Sequence, residues 1–418
     1  MKRSLYSELL KWKNSKNRKP LLLQGARQVG KTYFVTEFAK KEYNHFIYLN
    51  FEQNPELGTL FQQELNPQTI IENITIFTGQ KIFPGETLLF FDEIQTVPEV
   101  LTSLKYFNEQ APDYHIVAAG SLLGISIGKT TSFPVGKVNF LSMYPMSFME
   151  YLWAENEELL AGKIQEIIKE GTLPEVIHNK LIKYYKQYLY TGGMPEAVSS
   201  YITEKDVFLV RNIQNEILEA YKRDFSKYTE KTQAIKTIEL WQSIPHQLAK
   251  ENKKFKYSEV RKKGRASYYD STIEWLKNAG LINIVYNVSS PKMPLAGYAD
   301  YSKFKIYLFD TGLLGALLKL PASIILFPED IFREYNGAFI ENFVAQELTC
   351  YGNKPLFYWT SKSDAEVDFI LQREKAIYPL EVKSGTSLNL KSLKSYADKY
   401  HPQLTFRASP RNFIQSGN

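Results

Sequence analysis

The sequence predicts an α/β fold in which a parallel sheet has helices on both faces and is followed by a helical region and a second α/β domain. Two observations favour this class. Short apolar runs such as Leu21–Leu23 and Thr87–Phe91 alternate with segments of helical periodicity over residues 1–145. Strands that are buried on both faces of a parallel sheet have this continuous apolar character. After Pro145 the pattern becomes mainly helical, which indicates a new region.

The composition is that of a globular chain and excludes several classes of protein. With 44% hydrophobic and 23% charged residues among 418, the chain is neither disordered nor collagen-like. One cysteine, Cys350, and five histidines exclude a disulfide framework and disfavour a zinc site. The net charge of +6 permits a nucleic-acid partner without requiring one. We see no signal peptide and no membrane span, so a cytoplasmic protein with no membrane partner is expected.

The elements of the first region follow from local patterns. Residues 1–20 predict a basic amphipathic helix that ends at Pro20, and Thr32–Glu42 predicts a second helix through its periodic apolar residues. Four short apolar runs predict strands, at Leu21–Leu23, Phe46–Phe51, Thr87–Phe91 and Ile116–Ala119.

The remaining elements are mainly helical and then strand-rich. Residues 147–240 predict helices with a break at Thr191–Pro195, and Leu281–Val288 predicts a strand before a loop. A helix from Phe339 precedes further predicted elements, which are strands at Phe357–Thr360, Val367–Leu371 and Ile377–Val382 and a helix at Leu390–Tyr400. The predicted domains are residues 1–145, 146–230, 231–335 and 336–418.

The segment Gly25–Thr32 has the spacing of a phosphate-binding loop and predicts a P-loop NTPase sheet. Its sequence GARQVGKT fits G-x-x-x-x-G-K-[ST] between a predicted strand and a predicted helix. Glycines let backbone N–H groups point at phosphate, and the helix N-terminus adds positive potential. Lys31 is expected to reach the β- and γ-phosphates of ATP, and Thr32 to hold Mg²⁺. The expected nucleotide contacts are Gly25, Ala26, Arg27, Gln28, Val29, Gly30, Lys31 and Thr32.

Two acids follow the strand Thr87–Phe91. An acid at this edge of a parallel sheet meets the Mg²⁺ of a nucleotide. We expect Asp92 to hold Mg²⁺, and Glu93 to orient and polarise the attacking water in catalysis together with Lys31. The alternative for the pair is a helix N-cap. Ser121, after the next strand, is a candidate γ-phosphate sensor or an ordinary strand-end cap. No N-K-x-D motif is present, which favours adenine over guanine.

Four charged residues near the C-terminus form a second candidate site. Glu341 lies on a predicted helix, Asp368 in a predicted strand, and Glu381 and Lys383 share one face of the next strand. Glu341, Asp368 and Glu381 are candidate Mg²⁺ ligands, and Glu381 and Lys383 are candidate catalytic groups for phosphodiester hydrolysis. Ion pairing at an edge strand is the alternative.

Residues 250–265 form a basic segment that precedes a predicted helix and strand. Helix–turn–helix followed by a strand is the order of a winged helix, whose recognition helix enters a major groove. DNA is therefore a candidate partner through residues 250–265. A solvated surface on a packing module is the alternative.

Nine short motifs occur in one order along the chain: GARQVGKT, LLFFDEI, VAAGS, YPMSFMEYL, GGMPEAV, KIYLFDTGLL, FIENF, AEVDFIL and LEVKSG. With them the chain resembles, over nearly its whole length, the predicted AAA-type ATPases of bacteria and archaea that carry a C-terminal domain of unknown function. The resemblance implies an ATPase core followed by a winged helix. It also implies a C-terminal restriction-endonuclease-like fold whose acids match Glu341, Asp368 and Glu381 and whose lysine matches Lys383.

The sequence departs from this family in two places. The family usually has arginine after the glycine in the region Val135–Lys137, whereas this chain has Lys137, which lacks the planar fork of arginine. The family also commonly continues past the stretch that resembles Arg411–Phe413 with a further apolar strand. An edge strand of the last domain is thus expected to be absent.

Two functional hypotheses follow. The first is a Mg²⁺-dependent ATPase whose hydrolysis cycle moves a winged-helix and nuclease-like module that acts on DNA. The second is a nucleotide-gated switch that binds a protein partner through a catalytically inactive C-terminal fold. A small-molecule kinase is disfavoured by the trailing domains, and assembly into a homo-oligomer is left open.

Overall fold

The protein is described by a computed structural model that covers residues 1–62, 65–120, 134, 136–229, 231–250, 253–323, 333–361, 365–385 and 390–415. The chain divides into two compact units. The N-terminal unit comprises residues 2–144 and 278–280, and the C-terminal unit comprises residue 1 with 145–277 and 281–418. Among the described residues, no helix is both long enough and apolar enough to cross a membrane.

The N-terminal unit is built on a parallel five-stranded sheet, counted over its described residues, with the order β2-β3-β4-β1-β5. The strands are β1 (Leu21–Gln24), β2 (His45–Asn50), β3 (Thr87–Asp92), β4 (His115–Gly120) and β5 (Asn139–Ser142). Each neighbouring pair is parallel. The sheet confirms the predicted P-loop NTPase class. Because β4 lies parallel to both of its neighbours, β1 and β3, the carboxyl ends of all three strands lie at one edge of the sheet.

Helices flank this sheet, at α1 (Tyr6–Lys13), α2 (Lys31–Glu42), α3 (Pro67–Thr78) and α4 (Pro98–Gln110). The helix predicted over residues 1–20 is shorter than expected and ends at Lys13. The chain turns there because the Trp12 indole donates a hydrogen bond to the Lys19 carbonyl at 2.7 Å. Helices α3 and α4 and strand β5 are additional to the prediction, and each of the two helices begins at a proline, whose fixed φ suits the first helical turn.

The C-terminal unit begins with helices. They are α5 (Phe148–Ala154), α6 (Glu158–Glu170), α7 (Glu175–Thr191), α8 (Pro195–Glu204), α9 (Val207–Tyr228), α10 (Lys231–Leu248), α11 (Tyr257–Val260) and α12 (Ala266–Asn278). The break predicted at Thr191–Pro195 is the junction of α7 and α8. Gly192 there has a left-handed φ of 69°, which ends α7.

A mixed sheet follows, with the order β11-β10-β9-β8-β6-β7. Its strands are β6 (Ile282–Val288), β7 (Ala299–Leu308), β8 (Leu356–Thr360), β9 (Glu366–Arg373), β10 (Ala376–Val382) and β11 (Phe406–Ala408). Its helices are α13 (Thr311–Leu317), α14 (Arg333–Cys350) and α15 (Lys391–Tyr400). Strand β11 pairs in parallel with β10 and forms one edge of this sheet.

This sheet crosses the boundary predicted at residue 335. Strand β6 pairs in parallel with β8, with Val285 opposite Leu356 and Val288 opposite Trp359. The strands that were assigned to a winged-helix region and those of the C-terminal domain therefore share one hydrogen-bonded sheet. The reason is long-range pairing, which local sequence patterns do not reveal.

One buried carboxylate links two segments of the C-terminal unit. Asp310 caps α13 and accepts a hydrogen bond from the Leu313 N–H at 2.9 Å. Its other oxygen accepts one from the Gly193 N–H at 2.6 Å. Gly193 lies so close to the chain that a Cβ there would be 2.1 Å from the Met146 carbonyl oxygen. Burial raises the pKa of Asp310 to about 6, although these N–H donors oppose the shift.

We expect Asp310→Ala to lower the free energy of unfolding by about 3 kcal/mol, because two buried N–H groups lose their acceptor. The measurement is urea unfolding of the full chain, followed by tryptophan fluorescence. The control Asp206→Ala removes an exposed cap of α9, which accepts from Phe208 and Leu209, and should cost about 1 kcal/mol. Equal losses in the two variants would contradict this account.

The same carboxylate predicts a pH dependence. Its pKa is raised from the ordinary 3.8 to about 6, so the folded chain holds this proton more tightly than the unfolded chain does. The contribution of Asp310 to stability should therefore fall as the pH rises from about 4 to about 6. The difference in unfolding free energy between wild type and Asp310→Ala, measured across this range, should shrink with rising pH. A difference that stays constant would refute a raised pKa for Asp310 in the folded chain.

Candidate functional site

The segment Gly25–Thr32 forms a tight loop between β1 and α2. Gly25 packs against the backbone, because a Cβ at this position would lie 2.2 Å from the Met143 carbonyl oxygen. Gly30 is the N-cap of α2 and has a left-handed φ of 92°. The local geometry therefore requires glycine at both positions. In this geometry the N-terminus of α2 faces the space beside the loop.

The loop is anchored by an arginine that the sequence analysis missed. Arg3 donates hydrogen bonds to the Val29 carbonyl at 3.2 Å and to the Tyr144 carbonyl at 2.5 Å. Val29 is fully buried. Arg27 of the loop lies 3.6 Å from the carboxylate of Glu52. No local pattern marks Arg3, because its contacts come from residues far along the chain.

Lys31 is buried within the loop, with 6% of its surface exposed. Its Nζ donates hydrogen bonds to the carbonyl oxygens of Gly25 and Ala26, both at 2.9 Å. Burial lowers the pKa of Lys31 to about 8, while Glu93 and Asp92 oppose that shift. The ammonium group is thus held at the loop by neutral carbonyl dipoles, which leaves its positive charge available to an anion.

Thr32 and Asp92 meet at the sheet edge, as a shared Mg²⁺ site requires. The Thr32 hydroxyl donates to Asp92 Oδ2 at 2.6 Å, and the Tyr48 hydroxyl donates to the same oxygen at 3.2 Å. Asp92 is 2% exposed, and burial raises its pKa. A hydroxyl and a carboxylate are ligands that Mg²⁺ prefers, so the residues present fit the ion.

Tyr48 and its partner Asn50 were missed by the sequence analysis. The Asn50 side chain donates to the Tyr48 hydroxyl at 2.9 Å, and Asn50 lies opposite Asp92 in the β2–β3 register. One sequence signal could have revealed these two residues. Polar and apolar residues alternate at the end of β2, and the neighbouring strand ends in acids.

Glu93 lies directly beside Asp92 in an unusual backbone conformation. Its φ of 55° and ψ of 40° are left-handed, which non-glycine residues seldom adopt. Its N–H donates to Asp92 Oδ1 at 3.0 Å, and its carboxylate accepts from the Gln95 side chain at 2.5 Å. The strained backbone turns Glu93 out of the strand direction, at the place where a water-activating carboxylate is expected.

Three further positions singled out in the sequence are Ser121, Val135 and Lys137. Ser121 lies outside the described residues, as does Val135. Lys137 is described, and its Nζ is 2.9 Å from Glu109 Oε1 in the same unit.

The C-terminal acids surround a buried lysine that the sequence analysis did not include. Lys305 of β7 has 1% of its side chain exposed. Its Nζ lies 2.5 Å from Glu366 Oε1, 3.9 Å from Glu341 Oε2 and 3.9 Å from Asp368 Oδ1. These carboxylates raise the pKa of Lys305 against the effect of burial. We call Lys305, Glu341, Glu366, Asp368 and Glu381 the acid cluster.

Glu341 has a partner at each oxygen. Oε1 pairs with Nζ of Lys253, and Oε2 accepts a hydrogen bond from the Tyr307 hydroxyl at 2.7 Å. The two cations Lys253 and Lys305 keep the pKa of Glu341 low although the side chain is buried.

The other predicted members of this site are also paired. Asp368 Oδ2 accepts a hydrogen bond from the Val382 N–H at 2.8 Å, and burial together with Glu341 raises the pKa of Asp368 to about 8. Lys383 Nζ lies 2.6 Å from Glu381 Oε1. Among the described residues, no group of three His, Cys, Asp or Glu side chains is arranged to hold a metal ion. In this structure each of the three predicted Mg²⁺ ligands therefore lies beside a lysine.

Two lysines of the basic segment at residues 250–265 are engaged in ion pairs. Lys250 lies 2.5 Å from Glu259, and Lys253 belongs to the pair with Glu341. The exposed cations are concentrated just before α12, at Arg261, Lys262, Lys263 and Arg265. Helices α10, α11 and α12 followed by strands β6 and β7 have the element order of a winged helix.

Comparison with known families divides the chain into three matched regions. Residues 17–152 match the family described as AAA domain, residues 182–323 match Domain of unknown function (DUF8612), and residues 336–415 match Domain of unknown function (DUF4143). No curated protein matches the chain.

Several solved structures are distantly similar. The Walker-type ATPase of Pyrococcus abyssi is 14% identical, with 76% of this chain and 95% of that chain covered and a TM-score of 0.47. The ORC1 protein of Aeropyrum pernix, solved in complex with DNA, is 13% identical, with 77% and 92% covered and a TM-score of 0.27. AMPPCP-bound DnaA from Aquifex aeolicus is 13% identical, with 65% and 86% covered and a TM-score of 0.26. Likeness at these scores supports no inference about this chain.

The family match agrees with the geometry of the loop and of the sheet edge. It covers β1 to β5, the loop Gly25–Thr32 and the acids that follow β3. The resemblance to AAA-type ATPases is thereby confirmed for this part of the chain. The protein thus carries an N-terminal domain that matches the AAA domain family and has the P-loop NTPase fold, followed by two regions that match domains of unknown function.

Proposed function

We propose that the protein binds ATP with Mg²⁺ and hydrolyses it, and that the hydrolysis cycle changes the conformation of a C-terminal unit that binds DNA. The observation that carries the ATPase part is the convergence of Lys31, Thr32 and Asp92. A buried ammonium, a hydroxyl and a carboxylate lie at one sheet edge, with Thr32 and Asp92 in contact at 2.6 Å.

Each group has a distinct task in this proposal. Backbone N–H groups of the loop and Lys31 bind the phosphates, while Thr32 and Asp92 hold Mg²⁺. When bound, the ion neutralises negative charge on the phosphate oxygens. Glu93 accepts a hydrogen bond from the attacking water and polarises it. Ser121 remains a candidate γ-phosphate contact, and adenine is favoured over guanine because the sequence has no N-K-x-D motif.

The DNA part of the proposal is supported by charge and element order. Four exposed cations, Arg261, Lys262, Lys263 and Arg265, immediately precede α12, the helix that would act as the recognition helix. Neutralising phosphates with such side chains releases counterions, so binding of this kind weakens as salt is raised.

A second candidate function is a nucleotide-gated switch that acts on a protein partner, as a homo-oligomer or with another chain. The observation that favours it is the pairing of the C-terminal acids with Lys253, Lys305 and Lys383. Acids held in ion pairs are not poised as Mg²⁺ ligands or as catalysts, so cleavage of DNA by Glu381 and Lys383 is not part of our proposal.

We expect Lys31→Ala to abolish ATP binding and turnover, because the loop loses its buried cation. Glu93→Gln should keep ATP binding while turnover falls by about 100-fold or more, because the neutral amide is a much weaker base than the carboxylate. Phosphate release and binding of a fluorescent ATP analogue are the measurements. Lys40→Ala, which removes a lysine that is 64% exposed on α2, is the matched control and should resemble wild type. Full turnover in Lys31→Ala would refute the ATPase proposal.

We expect the double variant Lys262→Glu/Arg265→Glu to weaken binding to a short linear duplex by at least ~10-fold and to reduce its salt dependence. Fluorescence anisotropy at two salt concentrations measures both effects. The control Arg373→Glu/Lys375→Glu makes the same charge change at two exposed residues, at the end of β9 and in the turn that follows it, and should bind like wild type. If wild type shows no salt-sensitive binding, or if both double variants lose it equally, the protein-partner function is favoured instead.

A further inference from the structure

A lysine side chain, fully buried at the centre of the acid cluster, has no role in the function proposed above. We propose that the Lys305 ammonium is a built-in cation that takes the place of a divalent metal ion, so that this cluster binds no Mg²⁺ or Mn²⁺. The proposal concerns the C-terminal unit alone and does not depend on ATP hydrolysis or on DNA binding.

The first argument is the position of the ammonium group. Nζ of Lys305 lies within 4 Å of three carboxylates on two elements, Glu341 on α14 and Glu366 and Asp368 on β9. Buried carboxylates are unstable without a nearby positive charge, because water no longer solvates them. A metal ion is one way to supply this charge, and here a side chain of the same domain supplies it.

The second argument is that the lysine is held in place from several directions. Lys305 and Tyr307 are two residues apart on β7 and so share one face of the strand, where Tyr307 also reaches Glu341. Nζ lies 5.0 Å from the centre of the Tyr358 ring on β8, a favourable cation–π distance. The ammonium is thus fixed by the sheet itself and does not depend on a flexible loop.

The third argument is that two of the three candidate metal ligands, Glu341 and Asp368, already have partners at both oxygens, whereas Oε2 of Glu381 is buried without a hydrogen-bond partner. Both oxygens of Glu341 are engaged, one by Lys253 and the other by the Tyr307 hydroxyl. Asp368 Oδ2 accepts the Val382 N–H, and Oδ1 faces Lys305. A metal ion would have to displace these partners.

The fourth argument is electrostatic repulsion. An ion bound about 2.1 Å from the Lys305-facing oxygens of Glu341 and Asp368 would lie within roughly 6 Å of Nζ, since each of those oxygens is 3.9 Å from Nζ. Like charges at this separation repel strongly when the site is shielded from water. The Lys305 ammonium therefore opposes the binding of a divalent ion at this cluster.

This proposal gives a role to the first residue of the motif KIYLFDTGLL, which the sequence analysis quoted but left unassigned. A lysine inside a strand whose neighbours are apolar requires a partner of opposite charge. The acids that the resemblance presented as metal ligands are those partners.

The first test compares Mn²⁺ binding to the wild-type full chain and to Asp368→Asn, without nucleotide, by the electron paramagnetic resonance signal of free Mn²⁺. Both proteins keep the ATPase domain intact, so any Mn²⁺ bound at Asp92 is common to both. We expect superimposable isotherms. One additional Mn²⁺ bound by wild type and lost in Asp368→Asn would overturn the proposal.

The second test removes the built-in cation. Lys305→Met should lower the Tm of the C-terminal unit by roughly 10 °C, because breaking a buried ion pair leaves charge unpaired. Mn²⁺ should restore part of this loss in Lys305→Met and should leave the wild-type transition unchanged. The control Lys303→Met replaces a lysine on the same strand that is 62% exposed and should have the wild-type Tm.

The outcomes of the second test are separable. If Lys305→Met is as stable as Lys303→Met, or gains nothing from Mn²⁺, the lysine is not a substitute for an ion and the proposal fails. If Lys305→Met does not fold, the comparison of wild type with Asp368→Asn decides alone. Loss of ATP turnover or of DNA binding in other variants affects neither test.

Discussion

A charge that is buried away from water must be balanced close by, and each unit of this protein arranges a site around a buried lysine under that constraint. Lys31 lies against carbonyl oxygens of its own loop, whereas Lys305 lies among carboxylates. The two environments shift the lysine pKa in opposite directions, down to about 8 for Lys31 and upward for Lys305. Neutral dipoles solvate a cation incompletely, so Lys31 remains able to attract a phosphate. Full negative charges satisfy Lys305, which has no need of a ligand.

This contrast explains why the two sites support different inferences although both contain lysine and acids. At the sheet edge of the AAA domain, Thr32 and Asp92 share a contact that an ion can replace, and Glu93 is turned beside them by a left-handed backbone. In the acid cluster the corresponding contacts are made by Lys253, Lys305 and Tyr307. The resemblance of the C-terminal motifs to those of nucleases does not imply nuclease chemistry, because function resides in the site and in its charges.

In the C-terminal unit, local sequence patterns predicted some elements correctly and missed others. Strands β8, β9 and β10 and helix α15 were predicted to within a few residues, because their apolar runs and periodicity are local properties. Strand β7 was missed because its first half is polar and only its second half is apolar. The shared sheet of β6 to β11 was missed as well, because the pairing of β6 with β8 joins segments about 70 residues apart and leaves no trace in either segment alone.

The sequence by itself determined the P-loop NTPase class, the loop Gly25–Thr32 and the acids Asp92 and Glu93. These features depend on short-range spacing: glycines where the backbone must turn, a lysine and a threonine at a helix N-terminus, and acids where an apolar strand ends. Tertiary structure alone decided which charges meet. It placed Tyr48 beside Asp92, Arg3 beside the loop, and Lys253 and Lys305 beside Glu341. Electrostatic balance acts over a few ångströms in space, between residues that lie tens of positions apart in sequence.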